Sequence, residues 1–228
     1  MTTGPTTESS GPSYGASGHY DRQYFDWQNS DIGIKTRFKV KIFAPHIAPT
    51  DTVVDFGCAG GGMLAGLDCA RRIGIEINDV ARAAAERDHG IQTYARIADV
   101  PDRIADVVVS NHALEHIEAP IDALRQLRPK IADGGKLVLL LPIDDWRGQK
   151  TWDPDDINRH LYTWTPLLLG NALDEAGYRP ETMRIIHRTL MRGFSRFAKL
   201  PEPVFEGLQA VYSRLRHRQE LLAVARPA

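Results

Sequence analysis

Asp55, in the stretch VVDFGCAGGG, stands two residues before Gly57, and Glu76 closes a second short apolar stretch, IGIE, about twenty residues beyond the glycines. Glycines at such a turn let the backbone take positive φ and approach a ligand more closely than any Cβ allows. A carboxylate at the end of the second strand can accept both hydrogen bonds from a ribose diol, so the pair points to nucleoside binding. A dinucleotide asks for G-x-G-x-x-G to cradle its pyrophosphate. Gly57, Ala59 and Gly62 meet that pattern only with alanine at the position of closest approach. S-adenosyl-L-methionine has no phosphate and brings an ammonium and a sulfonium, so the carboxylate of Asp55 favours it through charge pairing.

A second group of residues suits proton transfer. Moving a methyl group to a hydroxyl requires that acceptor and methyl be held in line and that a proton be removed, and histidine is the natural base near neutral pH. The candidates are His112 and His116 in NHALEH, and His160 in the later stretch DPDDINRHLYTWTP. His160 lies after the fifth strand and before a helix, where it can project over the same crevice or sit at the surface bonded to Asp155 or Asp156. His112 is well placed by topology, as a base or as a cofactor contact. Glu115 and His116 read as anchors of the loop to the helix that follows. HALEH also matches the zinc-protease arrangement H-x-x-E-H, but it hangs off a buried strand instead of lying within a long helix, which argues against a metalloprotease.

The acidic cluster Asp144, Asp145, Asp153, Asp155 and Asp156 offers hard oxygen ligands to Mg²⁺; a solvated loop is the plainer reading, and no metal is expected. Asp155, Asp156, Arg159 and Tyr162 are the expected acceptor contacts. Trp146, Trp152, Tyr162 and Trp164 can stack on a sugar or planar acceptor, or seal the core beneath a long loop. Arg184, Arg188, Arg192, Arg196, Arg214, Arg216 and Arg218 can meet a phosphate-linked acceptor or an acidic membrane surface, or form a solvated face.

The elements that must position these groups follow from the alternation of apolar runs with helical patterns. Strands are expected at Thr52–Phe56, Arg72–Glu76, Gln92–Ala95, Asp106–Ser110 and Lys136–Leu141, the last closed by Pro142. Between them, Asn78–His89 reads as a helix capped by Asn78 or Asp79 and stopped by Gly90, and Pro120–Ile131 as a helix stopped by DGG. A helix from Pro166 to Ala176, a strand near Thr182–His187, a helix near Val204–Leu215 and the strand ELLAVAR complete the series. Strand, helix, strand in alternation implies an α/β fold with a parallel sheet covered on both faces.

Residues 1–18, rich in Gly, Ser, Thr and Pro, read as a disordered tail. Residues 19–48 read as a helical flank or lid ending near Pro45, with Phe38, Val40, Ile42 and Phe43 on one face. Residues 49–228 are expected to form the main domain, with an acceptor-side loop at 143–165 and a helical insertion at 188–217 before the last strand. The formal net charge of −1 lacks the basic field of a general nucleic-acid binder, so none is expected as partner. The two cysteines, Cys58 and Cys69, form no secreted disulfide framework, and no stretch is long and apolar enough to span a bilayer. A cytoplasmic chain is expected.

The stretches VVDFGCAGGG, IGIEIN, DVVVSNHALEHI and LRPKIADGGKLVLLLP resemble, in order and spacing, the motifs of class I S-adenosylmethionine-dependent methyltransferases. The resemblance covers about Thr52 to Pro142 and, less firmly, the C-terminal strands. It implies a doubly wound, seven-stranded, mostly parallel sheet with an antiparallel last strand. It implies that Asp55 and the backbone at Gly57, Cys58, Ala59 and Gly61 line the methionine end of the cofactor. Glu76 would hold the ribose, Ile77 would pack on adenine, and Asn111 with His112 would lie near the transferable methyl. Two departures stand out. Ala59 replaces the usual middle glycine, and Ala95 and Arg96 stand where many members carry an acid, so backbone contacts to adenine are expected there. DPDDINRHLYTWTP more distantly resembles bacterial methyltransferases associated with sugar or polysaccharide modification. The implied activity is methylation of a small-molecule or glycan-linked hydroxyl, with His160 or His112 as base. A non-catalytic adenosylmethionine-binding scaffold and an NAD-dependent oxidoreductase remain as alternatives, and the acceptor atom and oligomeric state stay open.

Overall fold

The computed structural model describes residues 32–145, 149–154, 156, 158–187 and 200–228. The expectations for residues 1–31, Trp146, Asp155, Arg188, Arg192 and Arg196 lie outside the described residues. In chain order come α1 (Ile32–Phe43), β1 (Thr52–Phe56), the single turn α2 (Gly62–Ala65), β2 (Arg71–Ile75), α3 (Asp79–His89) and β3 (Gln92–Tyr94). There follow β4 (Ala105–Asn111), α4 (Pro120–Leu127), β5 (Ile131–Ile143), α5 (Pro166–Glu175), β6 (Tyr178–Ile186), α6 (Glu202–Leu215) and β7 (Gln219–Pro227).

The strands form one seven-stranded sheet in the order β3-β2-β1-β4-β5-β7-β6. β1 pairs in parallel with both β2 and β4, so the chain leaves β1 towards one edge and returns beside it to build the other. That reversal places the ligand crevice of a doubly wound sheet beyond the carboxyl ends of β1 and β4. β7 inserts antiparallel between β5 and β6, as expected for the last strand.

Both faces are covered, which is why the inner strands read as near-continuous apolar runs. Successive side chains point to opposite faces. Val53, Val107, Val109 and Val138 pack with Phe43 and Leu64 on one side. Val54, Val108, Leu137 and Leu139 pack with Leu124, Leu127 and Leu173 on the other. Phe38, Ile42 and Phe43 of α1 are buried, and Ile42 and Phe43 place this helix in the first of these layers. Asn78 caps α3 by accepting from Val80 N and Ala81 N, and Gly90 closes it at φ 63°.

The structure differs from expectation around β5. The helix before it ends at Leu127, because Pro129 allows only a 3₁₀ turn at Arg128–Lys130. The Asp133-Gly134-Gly135 segment is then absorbed within β5. Gly134 at φ 78° and a register shift opposite Ala105–Val107 take up the irregularity. Pro142 likewise lies inside the strand. Pairing with β4 stops at Asn111↔Leu140, so one edge of β5 is open at Pro142 and no ladder bond is lost there.

Candidate active site

At the carboxyl end of β1, Asp55 is 2 % exposed and its Oδ1 has no hydrogen-bond partner. Burial pushes its pKa up to about 8, and the charge of Glu76 adds to the effect. The turn that follows is wound tightly. Gly57 (φ 81°) donates to Ile75 O at 2.8 Å, and Gly61 (φ 77°) donates to Cys58 O at 2.9 Å. A Cβ on Gly57 would meet the Ala113 Cβ at 2.6 Å, and one on Gly61 would meet Ile91 Cδ1 at 2.7 Å. These two glycines are therefore demanded by backbone hand and by the protein's own packing, and any contact to a ligand comes from their peptide groups.

Ala59 occupies the left-handed region at φ 47°, a conformation unfavourable for any residue with a Cβ. It is held there by a hydrogen bond from its N–H to Glu76 Oε2 at 2.9 Å. Glu76 Oε1 accepts from Asn78 N at 2.9 Å, and burial raises the pKa of this carboxyl. Each oxygen keeps a lone pair to offer. Next to it Ile77 is 43 % exposed, an apolar side chain left uncovered beside the carboxylate. Ala95 and Arg96 are also exposed, with Arg96 clasping Asp99 in a bidentate pair at 2.8 and 3.0 Å. The Cys58 thiol is buried against Gly74, and burial raises its pKa, so that residue faces the turn with its backbone.

β4 brings in the second set. Ser110 Oγ bonds Phe56 O at 2.9 Å and locks the ends of β1 and β4 together. Asn111 follows, its Oδ1 buried and without a hydrogen-bond partner. His112 then turns the chain at φ 53°, and its Nε2 lies 2.8 Å from Glu220 Oε1. Lys39 Nζ reaches the same oxygen at 2.5 Å. Glu220 is only 3 % exposed. Burial opposes its charge, but the Lys39 ammonium and the His112 contacts hold its pKa down at about 2.

His112 Nδ1 faces Glu115 Oε1 at 3.8 Å, and His116 Nε2 lies 3.9 Å from that oxygen. The Glu115 carboxyl is fully buried and neither oxygen has a hydrogen-bond partner. Its backbone carbonyl accepts Leu161 N at 2.9 Å and Tyr162 N at 3.3 Å, which ties the segment around His160 to the turn after β4. His160 is thereby brought edge-on to His116, the ring centroids 4.9 Å apart. Its Nδ1 is 2.8 Å from Asp144 Oδ2. Burial opposes the imidazolium, but the Asp144 hydrogen bond and the charges of Asp144, Glu115 and Asp156 outweigh it and raise the pKa of His160.

Of the expected residues that are described, Asp55 to Gly61, Glu76, Ile77, Ala95, Arg96, Asn111 and His112 lie at or just beyond the carboxyl ends of β1 to β4, and His160 and Tyr162 are tied to the turn after β4, with corrections in their partners. His160 bonds Asp144 and not Asp156, because the Asp156 oxygens accept from Asn158 N and Arg159 N, each at 3.1 Å. Arg159 is exposed at φ 46°. Tyr162 is fixed through its hydroxyl to Glu118 O at 2.8 Å. Trp164 seals the core at 5 % exposure, whereas Trp152 is 88 % exposed. Lys39, Asp144 and Glu220 were missed as partners of the histidines. The one signal for Glu220 is a charged residue directly before the apolar run Leu221–Ala225.

A family model described as a methyltransferase domain matches residues 33–182. The ribosomal protein L11 methyltransferase of Cupriavidus taiwanensis is 28 % identical over 51 % of this chain and 46 % of its own length. The tRNA U34 carboxymethyltransferase of Shewanella woodyi is 28 % identical over 56 % of this chain and 43 % of its own. The chain therefore spans about half the length of the curated relatives it matches. Among solved structures, a Haloferax volcanii complex containing the Trm112 methyltransferase activator aligns with a TM-score of 0.65 at 18 % identity. That alignment covers 90 % of this chain and 97 % of the other, and attests the fold. Among the described residues, no helix is long and apolar enough to cross a membrane.

Proposed function

This chain belongs to the methyltransferase-domain family, and on that premise we propose that it transfers a methyl group from S-adenosyl-L-methionine to a hydroxyl oxygen of a small-molecule or glycan-linked acceptor. The observation that carries the donor assignment is the pair of buried acceptors without donors, Asp55 Oδ1 and Asn111 Oδ1, at the ends of neighbouring strands. Buried polar atoms in that state are unfavourable and call for a ligand rich in N–H groups. Asp55 and Asn111 would hold an ammonium-bearing ligand, and Asp55 would release its proton to water and take the ionised form beside that charge. Glu76 keeps lone pairs for a ribose diol, and Ile77 offers a flat apolar rest to a base. The Ala59 amide is spent on Glu76, so it is not free for a pyrophosphate, which weakens the dinucleotide alternative.

When bound, the cofactor supplies an activated methyl group. The chain's own task is to hold the acceptor and remove its proton. His160 is the better-equipped base. Asp144 fixes its Nδ1–H and leaves Nε2 to take the proton, the same division of labour by which a carboxylate orients a catalytic imidazole elsewhere. The corresponding nitrogens of His112 face Glu220 and Glu115, which suits that residue to shaping the crevice. Arg159, Tyr162 and Asp156 at its rim are the expected acceptor contacts.

The test begins with calorimetric titration of the donor and its demethylated product into the folded chain. A panel of polyols, nucleotide sugars and lipid-linked glycans, with a ribosomal protein and a tRNA alongside, is then assayed by release of the demethylated product. Donor binding and turnover with a hydroxyl acceptor are expected. No donor binding would overturn the whole reading, and turnover confined to nitrogen or carbon acceptors would overturn the oxygen assignment.

A further inference from the structure

The Glu115 carboxyl takes no part in holding or deprotonating the acceptor. It is 0 % exposed, and neither oxygen accepts a hydrogen bond. A carboxylate removed from water in this way is strongly unfavourable unless a proton or a cation compensates it. Histidine nitrogens face it, His112 Nδ1 at 3.8 Å and His116 Nε2 at 3.9 Å from Oε1. Glu115, His116 and His160 each present one ligand atom, and these atoms all lie within 4.8 Å of one another.

The local chain supports a coordinating arrangement. His116 adjoins Glu115 in the 3₁₀ turn after β4, and the His160 loop is tied to the Glu115 carbonyl through Leu161 N and Tyr162 N. Asp144 takes Nδ1 of His160 at 2.8 Å, which directs the Nε2 lone pair away from Asp144. A carboxylate behind a ligating imidazole is the usual outer support of such a ligand. Two imidazole nitrogens with one carboxylate oxygen suit a first-row transition ion better than magnesium, which prefers oxygen alone. Three protein ligands leave coordination positions for water or an acceptor oxygen.

We propose that Glu115, His116 and His160 form a binding site for a divalent first-row transition-metal ion, oriented by Asp144 and open to an acceptor oxygen. The ion-binding part stands on this geometry alone, and the acceptor part rests on the hydroxyl reading above. An ion at the site occupies Nε2 of His160 and shifts that residue from taking the proton to holding the charge that lowers the hydroxyl's own pKa. The O–H bond then breaks with its proton passing to water. The oxygen attacks the methyl carbon as the carbon–sulfur bond breaks, leaving a neutral thioether.

The test uses the full chain, stripped with a chelator and titrated with Co²⁺, Zn²⁺ and Mn²⁺ alone, followed by calorimetry and, for Co²⁺, visible absorption. One ion per chain is expected. Glu115→Gln and His160→Gln are each expected to weaken binding by about 100-fold or more, since each removes a direct ligand and loss of a supporting group alone costs about 10- to 100-fold. His116→Gln serves if Glu115→Gln does not fold. Absence of saturable binding up to about 1 mM with all three ions, or unchanged affinity in any of these variants, would overturn the proposal. Donor titration of the same proteins separates the two readings, because loss of donor binding with ion binding intact removes methyl transfer and leaves the metal site standing.

Discussion

Asp55 lies on β1 opposite Gly74 of β2, so Glu76, two residues further on, brings a second carboxyl to bear on it. Burial and that neighbour raise the Asp55 pKa to about 8, so at pH 7 the free protein carries this group protonated. A cationic donor favours the ionised form. Binding at pH 7 is therefore expected to release close to one proton, and the release should fade as pH passes above about 8. Calorimetry in two buffers of different ionisation enthalpy measures this directly; equal heats in both at pH 7 would remove Asp55 as the ammonium partner.

The same shift sets a stability prediction. An acid whose folded pKa exceeds its unfolded value of about 4 binds more protons folded than unfolded between the two. Its contribution is fully present below about pH 4 and is lost as pH rises through about 8. Asp55→Asn removes that loss, so the unliganded variant should gain on the parent in urea melts at pH 9 relative to pH 6, while donor affinity falls by about tenfold or more. A variant less stable than the parent by the same amount at both pH values would argue against a proton held by Asp55.

Much of this end of the molecule was legible in the sequence, for a physical reason. Strands buried on both faces must be apolar throughout, so β1, β2 and β4 stand out as short runs, and a residue such as Asp55 or Glu76 at the end of a run is conspicuous. Asn78 and Gly90 mark α3 because backbone groups at a helix end need those residue types. The contacts that cross the fold left no such trace. Glu220 reaches His112 over 108 residues and Lys39 over 181, distances at which spacing in the chain says nothing about spacing in space. Asp144 was hidden by nearer acids, Asp155 and Asp156, and only the turn at Asn158–Arg159 shows why Asp156 is taken.

Lys39 and Glu220 offer a test of that long-range triad. Lys39 is partly buried and Glu220 almost wholly so, and removing one member of a buried pair costs about 3 kcal/mol, here with His112 left as the remaining partner of Glu220. Lys39→Met is expected to destabilise by roughly that amount, read in urea unfolding at pH 7. Because the Glu220 pKa is lowered to about 2, its contribution is present above the unfolded value and is lost as pH falls from about 4 towards 2. The parent and Lys39→Met curves should therefore converge in that window. A constant gap down to pH 2 would show that the lysine acts through packing alone.

Asp144 and His160 can be separated by their effects on turnover. His160→Ala should lower the rate by about 10²- to 10⁴-fold, the usual worth of a positioned base. Asp144→Asn keeps a hydrogen-bond acceptor but drops the charge, so a smaller loss of about tenfold to a hundredfold is expected. Neither residue touches the Asp55 end, so donor affinity should be unchanged in both. Equal donor affinity with full activity in His160→Ala would take this residue out of the chemistry.

The glycine turn yields the last test, by comparing two residues with similar backbone but different surroundings. Gly57 has φ 81° and Gly90 φ 63°, so alanine is strained at either position. At Gly90 nothing lies within 4 Å of the added Cβ, and the cost is the left-handed strain alone, about 1 kcal/mol. At Gly57 the new methyl would stand 2.6 Å from the Ala113 Cβ, on the backbone that carries Asn111 and His112 into the crevice. Overpacking there adds to the strain, for a total of about 3 kcal/mol. Gly57→Ala should also weaken donor binding, because relief of the clash must move either the turn or the end of β4. Gly57→Ala/Ala113→Gly removes the clashing methyl and should recover most of the excess over Gly90→Ala. Thermal melts and donor titrations of the three variants decide it, and a double variant no better than Gly57→Ala would show that backbone hand alone selects glycine at this position.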